Sequence, residues 1–197
     1  VIGGTWSSYS MEYREEFINE VYYAVNTFFD IKPRKMLSLD DEKHINESAI
    51  CKISGITIET RPDCITKEEI DSFNYFGVTR VQIGIQHPDD YILKKINRKC
   101  TVKEIKEGIK LLRDSGFKIL IHLMPNLPFS NPELDKKMFD TIIDDPDLRC
   151  DDMKIYPTMV TTTSDRDEEE VYTVIEKWFR DGKYEPYSDD ELKEVLI

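Results

Sequence analysis

The chain has 197 residues, of which 40% are hydrophobic and 34% are charged. This balance fits neither a disordered tail nor a membrane protein, and the length suits one domain of ordinary size or a piece of a larger one. The 39 Asp and Glu outnumber the 27 Lys and Arg, giving a net charge of −12, so an RNA contact requires a local basic patch.

Helix and strand patterns alternate along the chain. Apolar spacings of three and four predict a first helix over residues 10–29, and the polar residues of about 30–52 predict an irregular insertion. Strands are predicted over 53–60, 78–85, 117–123 and 153–156, and further helices over 66–76, 101–115, 131–143, 167–180 and 188–197. Strand–helix units of this kind predict an α/β fold with parallel strands, either doubly wound or a TIM-type barrel. Neither a Gly-x-Gly-x-x-Gly nor a Walker motif is present, which disfavours the nucleotide-binding folds.

The ends of these elements carry their own signals. Thr66 and Thr101 are each followed three residues later by Glu, which predicts capping boxes at two helix starts. A proline follows each strand, and proline cannot donate to a central ladder, so each one marks where pairing stops: Pro62, Pro88, Pro125 and Pro157. These are the carboxyl ends of the strands, where α/β folds place their chemistry.

Each predicted strand has one apolar face and one polar face, because side chains alternate along a strand. The polar faces carry these residues: Thr57, Glu59, Arg61, Gln82, Gly84, Gln86, Leu120, His122, Met124, Lys154 and Tyr156. Buried polar groups without partners cost several kcal/mol each. We therefore expect these faces to converge on a cavity for a polar ligand, and the alternative is an open sheet with one solvated face.

Several segments resemble the radical S-adenosylmethionine domain of the Elongator catalytic subunit family, which modifies the wobble uridine of tRNA. The segments are 3–6 (GGTW), 55–63 (GITIETRPD), 79–86 (TRVQIGIQ), 97–98 (NR), 122–128 (HLMPNLP) and 154–158 (KIYPT). The similarity extends over nearly the whole chain and is weakest over 30–50 and 160–197. It implies one domain over 1–197, a partial TIM-type (β/α)6 barrel that lacks its first strand.

The resemblance also implies the chemistry. The family binds S-adenosylmethionine and a 4Fe–4S cluster, and it uses acetyl-CoA as a substrate. Expected partners are the anticodon region of a tRNA and either other Elongator-type subunits or a second copy. We expect a cytoplasmic protein with reduced cysteines and no membrane contact.

Site residues follow from the matching positions. Gly3, Gly4 and Thr5 match the motif that receives the methionine amino group, and Lys52 matches a lysine that contacts acetyl-CoA. Four further residues are expected to line the cofactor cavity: Glu59, Arg61, Gln86 and His122. Glu59 can accept hydrogen bonds from ribose hydroxyls, and Arg61 can fork onto a carboxylate.

A basic region is the candidate for contact with the RNA backbone. The candidate residues are Lys94, Lys95, Arg98, Lys99, Lys103, Lys106 and Lys110. On the 101–115 helix the basic residues share one face, opposite the apolar face. Such a stripe can also be no more than a solvated helix surface.

Some features depart from the family pattern. The four cysteines form no closely spaced pair, so no metal site is expected within this chain, and the cluster ligands are expected upstream of Val1. Gln82 and Asn126 replace lumen carboxylates. The leading hypothesis is a fragment of a radical enzyme that is inactive on its own. The alternatives are a degenerate ligand- and tRNA-binding barrel, a coproporphyrinogen-oxidase-like enzyme and a hydrolytic barrel.

Overall fold

The computed structural model describes residue 1, residues 4–160 and residues 173–197. A sheet of parallel strands lies at its centre, with the strands in chain order: β1 (Ile56–Thr60), β2 (Val78–Gln86), β3 (Lys118–Leu123) and β4 (Asp152–Ile155). A doubly wound sheet reverses its strand order, whereas a TIM-type barrel keeps it sequential. The observed order agrees with the predicted partial barrel, of which four strands lie in the described residues.

Helices connect the strands and cover the sheet. The crossover helices are α3 (Lys67–Phe76) between β1 and β2, α4 (Asp90–Lys95) and α5 (Val102–Asp114) between β2 and β3, and α6 (Pro132–Asp144) between β3 and β4. The helices outside the sheet are α1 (Met11–Asn26), α2 (Leu39–Ser48), α7 (Val174–Arg180) and α8 (Asp189–Leu196). In residues 4–160 and 173–197, no helix combines the length and apolar character needed to cross a bilayer.

The hydrophobic core lies between the sheet and the crossover helices. On β4 the predicted apolar face is exposed, since Met153 is 45% and Ile155 is 42% exposed, but on β1, β2 and β3 it is almost completely buried, as predicted: Ile58, Val81, Ile83, Ile85, Ile119, Ile121 and Leu123. It belongs to one cluster with buried residues of α3, α5 and α6, among them Phe73, Ile109 and Met138. Burial of each such side chain contributes about 1.5–3 kcal/mol. The core therefore holds the apolar strand face against the helices and leaves the polar face on the other side of the sheet.

The predicted helix caps form differently at the two sites. Thr101 and Glu104 make a complete capping box at the start of α5. Thr66 accepts from the backbone N–H of Glu69 at the start of α3, but the Glu69 carboxylate pairs instead with Arg14 at 2.5 Å. The second half of that box is therefore replaced by a tertiary ion pair. Gly77 ends α3 with a φ of 74°, as its position predicts.

The prediction of an irregular insertion over about 30–52 is wrong, because α2 lies within it. Apolar periodicity misses this helix because polar contacts hold it. Its Glu42 is fully buried and forms an ion pair with Arg34, and its buried Asn46 bonds to Asn26 and to the backbone of Cys51. The first helix is also shorter than predicted, α4 is an additional helix, and residues 167–172 of the helix predicted over 167–180 lie outside the described residues.

Candidate functional site

The polar faces of β2, β3 and β4 meet in a hydrogen-bonded network. Gln82 is buried, and its Oε1 accepts from His122 Nε2 at 2.9 Å and from Lys154 Nζ at 3.1 Å. His122 Nδ1 lies 3.7 Å from Glu59 Oε1 on β1, and the Tyr156 ring meets the imidazole edge-on at 5.6 Å between centroids. Parallel pairing places these residues side by side across the sheet, and the predicted convergence is observed.

A cavity of about 240 Å³ opens beside this network. Its lining includes these predicted cofactor residues: Gly4, Thr5, Glu59, Arg61, Gln86 and His122. The predicted residue Gly3 lies outside the described residues. Lys52 is exposed and does not line the cavity. The volume is slightly below the roughly 300 Å³ at which small-molecule sites typically begin.

Gln86 reaches the cavity through a break in regular strand geometry. Its φ is 67°, and the pairing of β2 with β3 shifts between Ile83 and Gln86. The Gln86 carbonyl then accepts from Met124 N at 2.9 Å, so the two strand ends stay joined. Irregularities of this kind at the end of a strand re-aim a side chain.

Arg98 also lines the cavity, although its sequence context indicated the outer RNA-facing surface. Its guanidinium donates to the Gly84 carbonyl, and a Cβ on residue 84 would lie 2.8 Å from its Nη2. Within the described residues Arg98 forms no ion pair, and its Nε has no hydrogen-bond partner. Burial lowers the pKa of this guanidinium. The cavity therefore contains a desolvated cation whose compensation is incomplete.

Arg61 differs from Arg98 in that it already has a carboxylate. Its Nε and Nη2 donate to the two oxygens of Asp63 at 2.9 and 2.6 Å. These hydrogen bonds raise the pKa of Arg61 above its usual value. Arg61 therefore forks onto a carboxylate of the chain itself and not onto the cofactor carboxylate that the sequence analysis expected.

The charge state of His122 is set mainly by burial, which lowers its pKa below the usual 6.5. Glu59 acts in the opposite direction, while Lys154 reinforces the decrease. The imidazole is therefore neutral near pH 7, and one ring nitrogen can donate to Gln82.

Asn126 is not a lumen residue, contrary to the prediction. It is buried in the loop between β3 and α6, where its Nδ2 donates to Thr158 O at 3.0 Å and its Oδ1 accepts from Tyr187 N at 3.0 Å. Its own carbonyl accepts from Tyr184 Oη at 2.7 Å. The side-chain amide thus joins the loop to two other segments, because its Nδ2 bonds to the backbone just after β4 and its Oδ1 to the backbone between α7 and α8.

Asp135 is the centre of the same network, and sequence reasoning missed it. The carboxylate is fully buried and accepts from Asn126 N at 2.6 Å, Ser130 Oγ at 2.5 Å and Tyr187 Oη at 2.9 Å, and His87 Nε2 lies 3.5 Å away. Burial alone would raise the pKa of Asp135, but the surrounding donors outweigh it and lower that pKa. In the sequence Asp135 had the appearance of an ordinary first-turn acid of α6.

The predicted basic stripe is largely neutralised by the chain itself. On α5, Lys103 pairs with Glu107, Lys106 with Asp145 at 2.6 Å and Lys110 with Asp114 at 2.7 Å. The cations near α4 differ: Lys95 lies over two aromatic rings, and Lys94 and Lys99 are exposed and form no ion pair within the described residues. The lysines near α4 are thus better RNA candidates than those on α5.

The four cysteines are free thiols that lie apart from one another in the sequence. Burial raises the pKa of Cys64, Cys100 and Cys150, which keeps these thiols protonated. Across residues 4–160 and 173–197 no group of three or more His, Cys, Asp or Glu side chains could hold a metal ion.

A family model described as the Radical SAM superfamily matches residues 10–142. Among curated proteins, the tRNA uridine(34) acetyltransferase of Dehalococcoides mccartyi is 38% identical over 196 residues, which is 100% of this chain and 39% of that protein. Elongator complex protein 3 of Saccharomyces cerevisiae is 33% identical over 196 residues, again 100% of this chain and 32% of that protein. The chain thus spans about a third to two fifths of these relatives.

Two solved structures extend the comparison. The archaeal Methanocaldococcus infernus Elp3 with an N-terminal deletion superposes with a TM-score of 0.87 at 36% identity, covering 99% of this chain and 42% of that one. Coproporphyrinogen III oxidase (HemN) from Escherichia coli superposes with a TM-score of 0.56 at 16% identity, covering 80% of this chain and 34% of that one. The second likeness concerns the fold alone. Both agree with the predicted partial TIM-type barrel.

Proposed function

This chain belongs to the radical SAM superfamily, and on that premise we propose that it is the cofactor-binding core of an enzyme that modifies the wobble uridine of tRNA. The relatives named as tRNA uridine(34) acetyltransferases support the substrate class, and they match along the entire chain. The observation that carries the proposal is the cavity on the polar sheet face, which is lined by a half-buried arginine, Arg98, without a carboxylate partner in the described residues.

The lining fits S-adenosylmethionine. The cofactor has a carboxylate at one end, and a desolvated guanidinium such as that of Arg98 gains most from an anionic partner. Glu59 offers acceptor oxygens for ribose hydroxyls, and Gly4 allows close approach of the backbone to the amino-acid end. We therefore assign the carboxylate to Arg98, which replaces the expected role of Arg61.

The residues around the cavity orient the cofactor and shield it. Gln82 Oε1 accepts a hydrogen bond from His122 and one from the Lys154 ammonium, so neither side chain moves freely in the lumen. S-adenosylmethionine, when bound, supplies the radical chemistry by which enzymes of this superfamily remove a hydrogen atom from a substrate. The contribution of this chain is to hold the cofactor in a confined site with defined hydrogen-bond partners.

Three further components belong to the proposal. The described residues hold no group of ligands that could bind an iron–sulfur cluster. Acetyl-CoA is the proposed acetyl donor, and the exposed Lys52 ammonium would contact its phosphates. Elongator-type subunits or a second copy are the proposed protein partners, in line with the name of the yeast relative.

The decisive experiment measures S-adenosylmethionine binding by calorimetry. Arg98→Ala should weaken binding by about tenfold or more, because it removes a charge-assisted hydrogen bond in a desolvated site, while Arg98→Lys should retain part of the affinity. Arg149→Ala, at an exposed arginine, is the matched control. Unchanged affinity in Arg98→Ala would refute the assignment of the cavity.

Turnover requires a separate test on the full-length protein that contains this chain. After anaerobic reconstitution with iron and sulfide, the protein should release 5′-deoxyadenosine in the presence of a reductant. A protein that binds the cofactor, carries a cluster and releases none would support the degenerate binding barrel instead.

A further inference from the structure

An aromatic cluster that carries one ammonium lies at the carboxyl end of the sheet, outside the cavity. The Lys95 Nζ of α4 lies 5.4 Å from the centre of the Tyr91 ring and 5.3 Å from that of Phe129 in the β3–α6 loop. The Phe129 ring meets Trp178 of α7 at 5.4 Å between centroids, with 78° between the planes. We name these four residues the aromatic platform.

The aromatic platform is not part of the hydrophobic core. Tyr91 is 59% exposed and Phe129 is 41% exposed. Phe129 also has a φ of 74°, a left-handed conformation that is rare for an aromatic residue and costs about 1–3 kcal/mol. Because the Phe129 ring stays 41% exposed, its burial recovers little of the cost of the strained backbone. A contact between the exposed part of the ring and a partner outside the chain would better explain why this conformation is kept.

The charge around the aromatic platform is positive in a chain of net charge −12. Lys95 belongs to the platform itself, and Lys94 and Lys99 nearby are exposed and form no ion pair in the described part of the chain. Lys94 and Lys99 also line an open groove with Arg98, whose guanidinium reaches the cofactor cavity, and the carboxylates of Asp90 and Glu104 in that groove accept backbone hydrogen bonds at the start of α5. The rings and cations therefore lie next to the proposed reaction site and favour a polyanionic partner.

We propose that the aromatic platform stacks an unpaired base of an RNA loop, while Lys94 and Lys99 contact the flanking phosphates. Any base offers a π-face to an aromatic ring, and a lysine over the rings adds attraction for the backbone. Double-stranded RNA cannot offer an unstacked base to such a surface. This inference rests on the proposed function, because it takes a tRNA to be the substrate.

The test compares the binding of two fluorescein-labelled RNA hairpins by anisotropy, one with an unpaired loop and one with the same stem extended as a duplex. Wild-type protein should prefer the looped hairpin. Tyr91→Ala and Phe129→Ala should each weaken looped-hairpin binding by about tenfold, the usual cost of losing one stacking ring. Tyr91→Phe and Phe129→Tyr keep the rings and should retain the wild-type affinity.

The controls separate this inference from the proposed function. Phe28→Ala removes a ring that is 72% exposed at the far end of α1 and should leave RNA binding unchanged. S-adenosylmethionine affinity, measured on the same variants, should stay at the wild-type value because the platform does not line the cavity. Tyr91→Ala serves as the second variant if Phe129→Ala fails to fold.

Four results would overturn the inference, of which three concern RNA binding. They are equal looped-hairpin affinity in wild type and both alanine variants, a wild-type preference for the duplex, and no RNA binding by the wild type at all. A change only in self-association, measured by sedimentation, would show that a second copy covers the platform, and this too would overturn the inference. In each case intact S-adenosylmethionine binding would leave the cofactor part of the proposed function standing.

Discussion

The buried Glu42 and the half-buried Arg98 are two charged side chains that are compensated in different ways. Glu42 of α2 accepts hydrogen bonds from both Arg34 Nη atoms, from Leu37 N and from Asn26 Nδ2, at 2.6 to 3.0 Å. Arg98 at the cavity has the Gly84 carbonyl, no ion pair within the described residues and an unpartnered Nε. Desolvation is costly at both sites, and only Glu42 has its charge balanced by the chain.

The number of partners distinguishes a charge that is part of the folded framework, such as Glu42, from a charge that is available to bind a ligand, such as Arg98. A buried ion with complete partners contributes to stability and would be strongly destabilising to break, whereas an incompletely paired one weakens the apo protein. The Asp135 network belongs with Glu42, because donors surround its carboxylate. The cavity belongs with Arg98. Incomplete compensation is thus the physical mark of the binding site.

The largest expected effect comes from breaking the completed site. Glu42→Ala should lower the free energy of unfolding by about 3–5 kcal/mol, since it leaves the buried donors around position 42 without an acceptor. Glu47→Ala on the same helix, at an exposed residue, should change it by less than about 0.5 kcal/mol. Chemical denaturation of both variants measures the contrast, and equal stabilities would contradict it.

The pH dependence of stability tests the same site. The Arg34 guanidinium lowers the pKa of Glu42 from its usual 4.5 to about 2, against the opposing effect of burial. Because the folded pKa is depressed, the stabilisation by Glu42 is complete above pH 4.5 and is lost as the pH falls toward 2. Denaturation curves over this interval should fall more steeply for the wild type than for Glu42→Gln. Parallel curves would show that Glu42 does not cause the acid loss.

The incompletely paired site should respond in the opposite sense. Arg98→Met keeps much of the side-chain volume and removes the desolvated charge, so the free energy of unfolding should stay within about 1 kcal/mol of wild type or rise. Cofactor affinity should fall in the same protein. Thermal unfolding measured with and without S-adenosylmethionine separates the two effects, and a loss of several kcal/mol without ligand would remove the contrast with Glu42.

His122 gives a smaller, pH-dependent effect within the cavity. Burial lowers its pKa below 6.5, so the unfolded chain binds a proton more readily than the folded one. The contribution of His122 is therefore present above pH 6.5 and decreases as the pH falls below that value. NMR titration of the His122 ring should give a midpoint below 6.5, and His122→Gln should lose this part of the stability slope. A midpoint above 6.5 would contradict the burial argument.

The smallest effect distinguishes paired from unpaired surface lysines. Lys99→Ala should reduce the salt dependence of RNA binding by about one phosphate contact, because Lys99 has no ion pair in the described residues. Lys110→Ala should change it less, because Asp114 already neutralises that ammonium. Affinities measured over a range of salt concentrations give both slopes. Equal slopes for Lys99→Ala and Lys110→Ala would contradict the distinction and make the α5 lysines equally good candidates for RNA contact.

Strand periodicity predicted the cavity because the face on which a strand residue lies depends only on the alternation of side chains along the strand. Glu59, Gln82 and His122 lie on one face by position, and parallel pairing then brings them together whatever the loops do. Their contacts within the network follow from this arrangement. Of the predicted lining residues, Glu59, Gln86 and His122 lie within strands, whereas Gly4, Thr5 and Arg61 line the cavity from the loops beside them.

The residues that sequence reasoning missed lie at element ends or depend on tertiary partners. Arg98 follows a short helix in a loop, where no period assigns its direction, and neighbouring lysines indicated a surface. Asp135 acquires its role only from Tyr187, which is distant in sequence. The α2 helix was missed because Glu42, a polar residue, occupies its buried face. Each of these depends on which polar groups meet after folding, and periodicity carries no such information.

The contact between Arg98 and Gly84 makes the placement of the guanidinium depend on which residue occupies position 84. A Cβ at position 84 would lie 2.8 Å from Nη2, so a larger residue there would require the guanidinium at the flexible end of Arg98 to shift away from the Gly84 carbonyl. A lineage that replaces this glycine is therefore expected to hold the guanidinium differently. Reading these two positions together would sort paralogues that still hold the nucleoside cofactor from those that have drifted to another use.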